Sequence, residues 1–276
     1  MRLVWITDPH LNHVCDQDRE SWFDQIASHG RDGIVISGDI SEGDDVVFQL
    51  GRIADRFSCP IHFVLGNHDF YQSSIAQTRQ NVIHAARGRE QLNYLTDCPA
   101  IDLGRDSYLV GEDGWGDATE GNFEDSYVRL NDFQLIDDFV HSAPDSWKQQ
   151  LQHLGKESAA RLADKLDTLP NNTRNVLVVT HVPPFRDACW YQGRTTDDHW
   201  APFFVCGQIG QVLLNAAQAR DQLRFTVLCG HGHHAGVADI AANLTVFTGA
   251  AEYGKPDVTG HVDIDDQKIR VSLPGD

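Results

Sequence analysis

The chain has 276 residues, 41% of them hydrophobic, with 22 Lys+Arg against 40 Asp+Glu and a formal charge of −18. That composition excludes wholesale disorder, and the scattered basic residues leave no patch for a nucleic-acid polymer or an acidic membrane surface. No apolar run approaches the roughly 20 residues of a membrane-spanning helix.

Taken in chain order, short apolar runs alternate with amphipathic stretches. Leu3–Thr7 is predicted as a buried strand, Arg19–His29 as a helix with Trp22, Phe23 and Ile26 on one face, and Gly33–Ser37 as a second strand. Asp44–Phe57 follows as a helix and Ile61–Leu65 as a third strand. This rhythm implies a parallel sheet covered by helices, whose strands are apolar on both faces. A long helix is expected over Asp145–Leu169, with Trp147, Leu151, Leu154, Leu162 and Leu166 near one face and Pro170-Asn171-Asn172 as its stop. Asn175–Val179 and Leu223–Cys229 are further strands on either side of a helix over Gln208–Arg220. Val237–Ile240, Leu244–Phe247, Val258–Ile264 and Lys268–Leu273 suggest a meander closing a second sheet.

Two stretches, Glu112–Asp125 and Pro183–Gly207, read as long loops, and long loops in compact domains carry function. The six cysteines, Cys15, Cys59, Cys98, Cys189, Cys206 and Cys229, are spread singly with no CxxC pair. They are expected to be reduced thiols of a cytoplasmic protein. With candidate ligands at Asp8 and His10 directly after the first strand, no removable leader fits before them.

Five predicted strands end in metal-ligand residue types. Asp8-Pro9-His10 follows Leu-Val-Trp-Ile-Thr, and Gly38-Asp39 follows Ile-Val-Ile-Ser. Gly66-Asn67-His68-Asp69, His181 and Gly230-His231-Gly232-His233 end the other three. Ligands of open α/β sheets bind at the carboxyl ends of the strands, where all five segments can converge. Carboxylate, imidazole and amide donors together suit Mn, Fe, Zn or Co. Any one segment is weak; all five, each on a strand end, are hard to obtain by accident.

This order of segments resembles the calcineurin-like metallophosphoesterase superfamily from Asp8 to His233. The resemblance implies an α/β fold of two mixed β-sheets packed as a sandwich flanked by helices, a four-layer architecture. It is expected as a single domain over residues 1–276, with loop or lid insertions near 112–150 and 183–207. The resemblance further implies two metal ions. Asp8, His10, Asp39 and His233 match the ligands of the first, and Asp39, Asn67, His181 and His231 those of the second, so Asp39 bridges. His68 matches the catalytic histidine, which is not a ligand, and Asp69 is expected to orient it by accepting its other ring proton. The implied reaction is attack on phosphorus by a hydroxide bridging the metals. His234 is read as a bystander.

Departures from the family narrow the reading. Ile40-Ser41-Glu42-Gly43 stands where protein Ser/Thr phosphatases carry Asp-Arg-Gly. Glu42 stands where purple acid phosphatases place a metal-binding tyrosine. What remains resembles the small bacterial-type phosphoesterases, including class III cyclic-nucleotide phosphodiesterases. The expected activity is hydrolysis of a small phosphodiester, with cyclic nucleotides among the candidates. A phosphomonoesterase, acting on small molecules or proteins, is the alternative, and a non-catalytic scaffold the remote one. Arg186 and Arg194 are candidates to hold a phosphate bidentately. Trp190, Tyr191 and Trp200 are candidates to stack on a base or to pack under the loop, Trp115 is expected to pack, and Tyr253 is a third substrate-binding candidate, near the metals. The expected partner is a small phosphate ester, with no nucleic-acid polymer and no membrane; the sequence leaves the oligomeric state open.

Overall fold

Alternation decides which side of each strand faces which layer. In the computed structural model, which describes residues 1–274, β1 (Arg2–Ile6) sends Val4 and Ile6 toward one core and Leu3 and Trp5 toward another. All four are fully buried, so the strand is apolar on both faces. The chain continues through α1 (Asp16–Ser28), β2 (Gly33–Ser37), α2 (Asp45–Arg56), β3 (Ile61–Val64), α3 (Ile75–Arg87) and β4 (Leu92–Tyr94). Then come β5 (Ile101–Gly104), β6 (Ser107–Glu112), two one-turn helices α4 (Asp132–Leu135) and α5 (Asp137–Val140), the long α6 (Trp147–Asp167) and β7 (Asn175–Thr180). A small hairpin of β8 (Trp190–Tyr191) and β9 (Arg194–Thr195) precedes α7 (Ala201–Phe204), α8 (Gly207–Ala219) and β10 (Arg224–Cys229). The chain closes with β11 (Gly236–Ala241), β12 (Leu244–Thr248), β13 (Gly260–Ile264) and β14 (Ile269–Ser272).

Two six-stranded sheets result, with strand orders β14-β13-β1-β2-β3-β4 and β11-β12-β10-β7-β6-β5. Both are mixed: β1 to β4 are parallel while β13 runs antiparallel to β1, and β6, β7, β10 and β12 are parallel between antiparallel edges. The sheets face each other across Leu3, Trp5, Val35 and Val64 on one side and Leu109, Leu177, Val179 and Leu228 on the other. Helices α1 and α2 cover the outer face of the first sheet through Trp22, Phe23, Ile26, Leu50 and Ile53. Helices α6 and α8 cover the second through Leu162, Leu166, Ile209 and Leu213. Each such aliphatic or aromatic side chain contributes about 1.5–3 kcal/mol by leaving water. Helix–sheet–sheet–helix is the four-layer arrangement expected from the resemblance.

The tail is a correction. It does not close one sheet as a meander: β11 and β12 complete the second sheet, and β13 and β14 cross back to the first. Thr259 N–H donates to Trp5 O (2.9 Å) where the chain returns. Helix α3, which the sequence reading left out, starts at the Ser74 cap, whose side chain accepts from Gln77 N–H (3.2 Å), and buries Ile75, Thr78 and Val82. No helix among the described residues is long and apolar enough to cross a membrane.

Candidate metal centre

The loops after β1 and β2 run side by side. Asp8 N–H donates to Gly38 O (3.1 Å), His10 N–H to Asp39 O (3.0 Å) and Leu11 N–H to Ile40 O (2.9 Å). To aim their side chains at one point, Asp8, His10, Asp39, His231 and His233 all take left-handed backbone, with φ between 41° and 68°. That conformation costs on the order of 1–3 kcal/mol per non-glycine residue and concentrates at functional sites. Gly66 and Gly230 permit the close approach. A Cβ on Gly66 would lie 2.2 Å from Asp39 Oδ1, and one on Gly230 would lie 2.0 Å from Asp8 Oδ2.

The structure brings the seven expected ligand residues together. One ligand atom each from Asp8, His10, Asp39 and His233 lies within 4.8 Å of the others, and Asp39, His181 and His231 form a second such group. Asp39 belongs to both. Asn67 Oδ1 joins the second group at 3.2 Å from His181 Nε2.

Hydrogen bonds on the far side of the rings set which nitrogen faces the group. His181 Nδ1–H donates to Ser37 O (2.9 Å), leaving the Nε2 lone pair inward; His231 Nε2–H donates to Phe203 O (3.2 Å), leaving Nδ1. His181 Nε2 then confronts Asn67 Oδ1 at 3.2 Å and Asp39 Oδ1 at 3.4 Å. His10 Nε2 lies 3.1 Å from His233 Nε2 and 3.7 Å from Asp39 Oδ2, and His10 Nδ1 is a buried nitrogen with no hydrogen-bond partner. Acceptors converging on acceptors without donors between them are the donor set of a cation site, and the mixture of O and N donors fits a transition-metal pair.

Charge tells the same story. Burial, then the charge of Asp8, pushes Asp39 well above the usual carboxylate range. Burial also raises Asp8, but the His233 hydrogen bond and the charges of His181 and His233 outweigh it, so its net shift is downward. Thr7 Oγ1 and the His231 N–H (3.0 Å) donate to the Asp8 carboxylate. Burial pushes His10 down to about 2 and His231 well below its ordinary value. Imidazoles held neutral beside buried carboxylates are primed for metal ligation.

His68 sits against this set. Its backbone N–H donates to Asp39 Oδ1 (2.9 Å), and its ring lies 4.7 Å from that of His10. Asp69 does not orient it, which corrects the expectation. The Asp69 carboxylate turns back to accept the Ser41 and Gly66 N–H groups (2.9 and 2.8 Å), closing the loop that carries His68. The carboxylate facing His68 Nδ1 is Glu42, with Oε1 at 3.9 Å, and Tyr253 Oη lies 3.4 Å from His68 Nε2.

A cleft of about 900 Å³ opens over the centre, with Arg194, Trp190, Tyr191, Trp200, Phe204 and Tyr253 among its lining residues. Tyr253 also places its ring 4.3 Å from that of His10. Arg186 is outside this lining, a second correction: its guanidinium donates to Thr196 O (3.0 Å) and Asp198 Oδ1 (2.6 Å), tying the 183–207 segment to itself. Trp115 packs in the core, 4% exposed, and His234 stands beside Tyr191 with ring centroids 4.8 Å apart. The sequence reading missed Glu42, whose Oε1 stands 3.9 Å from His68 Nδ1, and Asp132, whose Oδ1 accepts from Asn67 Nδ2 (2.8 Å).

A model of the family described as calcineurin-like phosphoesterase matches residues 1–235. No curated protein matches the chain. Among solved structures, the fold is similar to that of a phosphopantetheinyl hydrolase from Mycobacterium tuberculosis, with a TM-score of 0.69 and 16% identity over 99% of this chain and 95% of that one. It is similar also to a dimetal phosphatase from Danio rerio, with a TM-score of 0.60 and 14% identity over 99% and 95% of the two chains.

Proposed function

The chain belongs to the calcineurin-like phosphoesterase family, metal-dependent hydrolases of phosphoric esters, and from that premise we propose that it cleaves a small phosphodiester at a centre holding two ions. The observation that carries the reading is the sharing of Asp39 between two donor groups, with His68 hydrogen-bonded to the same carboxylate. Asp8, His10, Asp39 and His233 would hold one ion and Asp39, Asn67, His181 and His231 the other. Bound cations there supply Lewis acidity, which polarises a phosphoryl oxygen and makes water a stronger acid.

The chain's own groups do the rest. Burial, then the charge of His181, pushes His68 down to about 3, so its ring is neutral before substrate arrives. A phosphate ester against Nε2, with Glu42 near Nδ1, favours the protonated ring. Hydrolysis forms one P–O bond from water, which loses a proton to solvent, and breaks the ester P–O bond; the departing oxygen takes the proton that His68 Nε2 has drawn from solvent on substrate binding. Asp69 holds the loop so that this ring stays in place.

The cleft argues for a diester. Several rings and a single arginine, Arg194, line it. One cation suits a monoanion, and rings suit an apolar or planar ester group, cyclic nucleotides included. Hydrolysis of bis(p-nitrophenyl) phosphate and p-nitrophenyl phosphate tests this. With Mn²⁺ the diester is expected to turn over faster, and chelation to abolish both activities reversibly. Turnover of the monoester alone would replace this reading with a phosphomonoesterase. No turnover of either, or of a panel of cyclic nucleotides and phosphopantetheine esters, would leave only a scaffold.

A further inference from the structure

The geometry points to Asp132 as the positioning residue that fixes the amide of Asn67 with its oxygen toward the second ion; this rests on the two-ion reading above. An asparagine amide can be turned either way, because its oxygen and nitrogen have the same shape. Turned one way, Asn67 offers an oxygen ligand; turned the other, it offers an N–H₂ that no cation can bind. What decides is the group behind it. Asn67 Nδ2 lies 2.8 Å from Asp132 Oδ1, and an ionised carboxylate only accepts. Reversing the amide would put oxygen against oxygen there, so Oδ1 is held toward His181 Nε2, 3.2 Å away.

Asp132 is itself held. Its side chain is buried, with the residue 4% exposed, and the Tyr71 hydroxyl donates to the same Oδ1 at 2.8 Å. Tyr71 Oη also lies 3.4 Å from Asn67 Nδ2, so the three groups form a closed triangle. Asp132 opens the helix Asp132–Leu135, and Phe133 beside it packs on Trp147 with ring centroids 4.1 Å apart. The carboxylate therefore comes from a packed element rather than from a mobile loop. The segment 112–150, expected as an insertion or lid, thus reaches the cleft at the metal centre and sets one of its ligands. A carboxylate so close to the ligand shell also adds negative charge that favours a cation.

The test uses Asp132→Leu, which keeps the size and removes the acceptor, and Asp132→Asn, which keeps an acceptor oxygen. Metal-free protein is titrated with Mn²⁺ by calorimetry, and bound metal is counted after dialysis. Wild type is expected to bind two ions per chain. Asp132→Leu should hold the first and bind the second at least ten-fold more weakly, while Asp132→Asn restores most of the affinity. Tyr71→Phe, which keeps the ring and removes one brace, should weaken the second ion several-fold, and it keeps the test available if Asp132→Leu fails to fold. Two ions bound with wild-type affinity in Asp132→Leu, or in Tyr71→Phe where the leucine variant is unfolded, would overturn the role of Asp132. Wild type binding fewer than two ions would instead remove the two-ion reading on which it rests.

Discussion

His68 is tied to the ligand set through its backbone and left facing the cleft through its ring. Its N–H holds Asp39 Oδ1, its Nδ1 faces Glu42 and its Nε2 lies beside Tyr253 Oη. Since no ligand nitrogen is lost with it, His68→Ala should lower kcat by about 10²–10⁴-fold while the metal content measured on the same sample stays at the wild-type level. Full activity in that variant would remove the role; loss of metal would make His68 a ligand instead. Residues of this kind were legible because each ends an apolar strand: Asp8, Asp39, Asn67, His181 and His231 announce themselves by local pattern. Asp69 misled because adjacency in sequence is a poor guide on a 3₁₀ turn, where its carboxylate satisfies two backbone N–H groups instead. Asp132 carries no local signal at all, and Glu42, although it lies three residues after Asp39, carries none that points to His68. Asp132 reaches the site only through the packing of segments far apart in the chain, and Glu42 meets His68 only because the loops after β2 and β3 lie together.

Strand β3 carries a titratable group in the core. His62 is 3% exposed, its Nδ1 has no hydrogen-bond partner, and burial pushes its pKa down to about 4. An unfolded chain protonates the same ring near pH 6.5. Between those values the unfolded state binds more protons, so stability rises with pH there. The contribution is fully present above about pH 6.5 and is lost as pH falls toward 4, by about 3 kcal/mol at most. Denaturant titrations of the metal-free protein should show His62→Leu flattening this part of the wild-type profile; parallel profiles for the two proteins would contradict it. Strands β1, β2, β3, β7 and β10 to β14 and the helices α1, α2, α6 and α8 were legible to within a few residues, because buried parallel strands are continuously apolar and the helices show one apolar face, whereas β4, β5, β6, β8 and β9 went unread. Helix α3 was overlooked because its apolar residues Ile75 and Val82 are sparse among polar ones. The crossing of β13 and β14 to the first sheet was illegible because strand patterning reports faces, not neighbours.

At the scale of the molecule, the sandwich itself makes the centre. Asp8, His10, Asp39 and Asn67 follow strands of one sheet, and His181, His231 and His233 follow strands of the other. Ions held between them would join the two halves, offsetting the repulsion of carboxylates buried together at 0–2% side-chain exposure. The two segments outside the strand-end pattern serve this centre as well, one through Asp132 and the other through the Phe203 carbonyl that fixes His231. Diffraction from crystals grown with Mn²⁺, recorded at the manganese absorption edge, tests the central claim most directly. Two anomalous peaks are predicted, one among Asp8, His10 and His233 and one among Asn67, His181 and His231, with Asp39 touching both. A single peak, or peaks away from Asp39, would contradict the account.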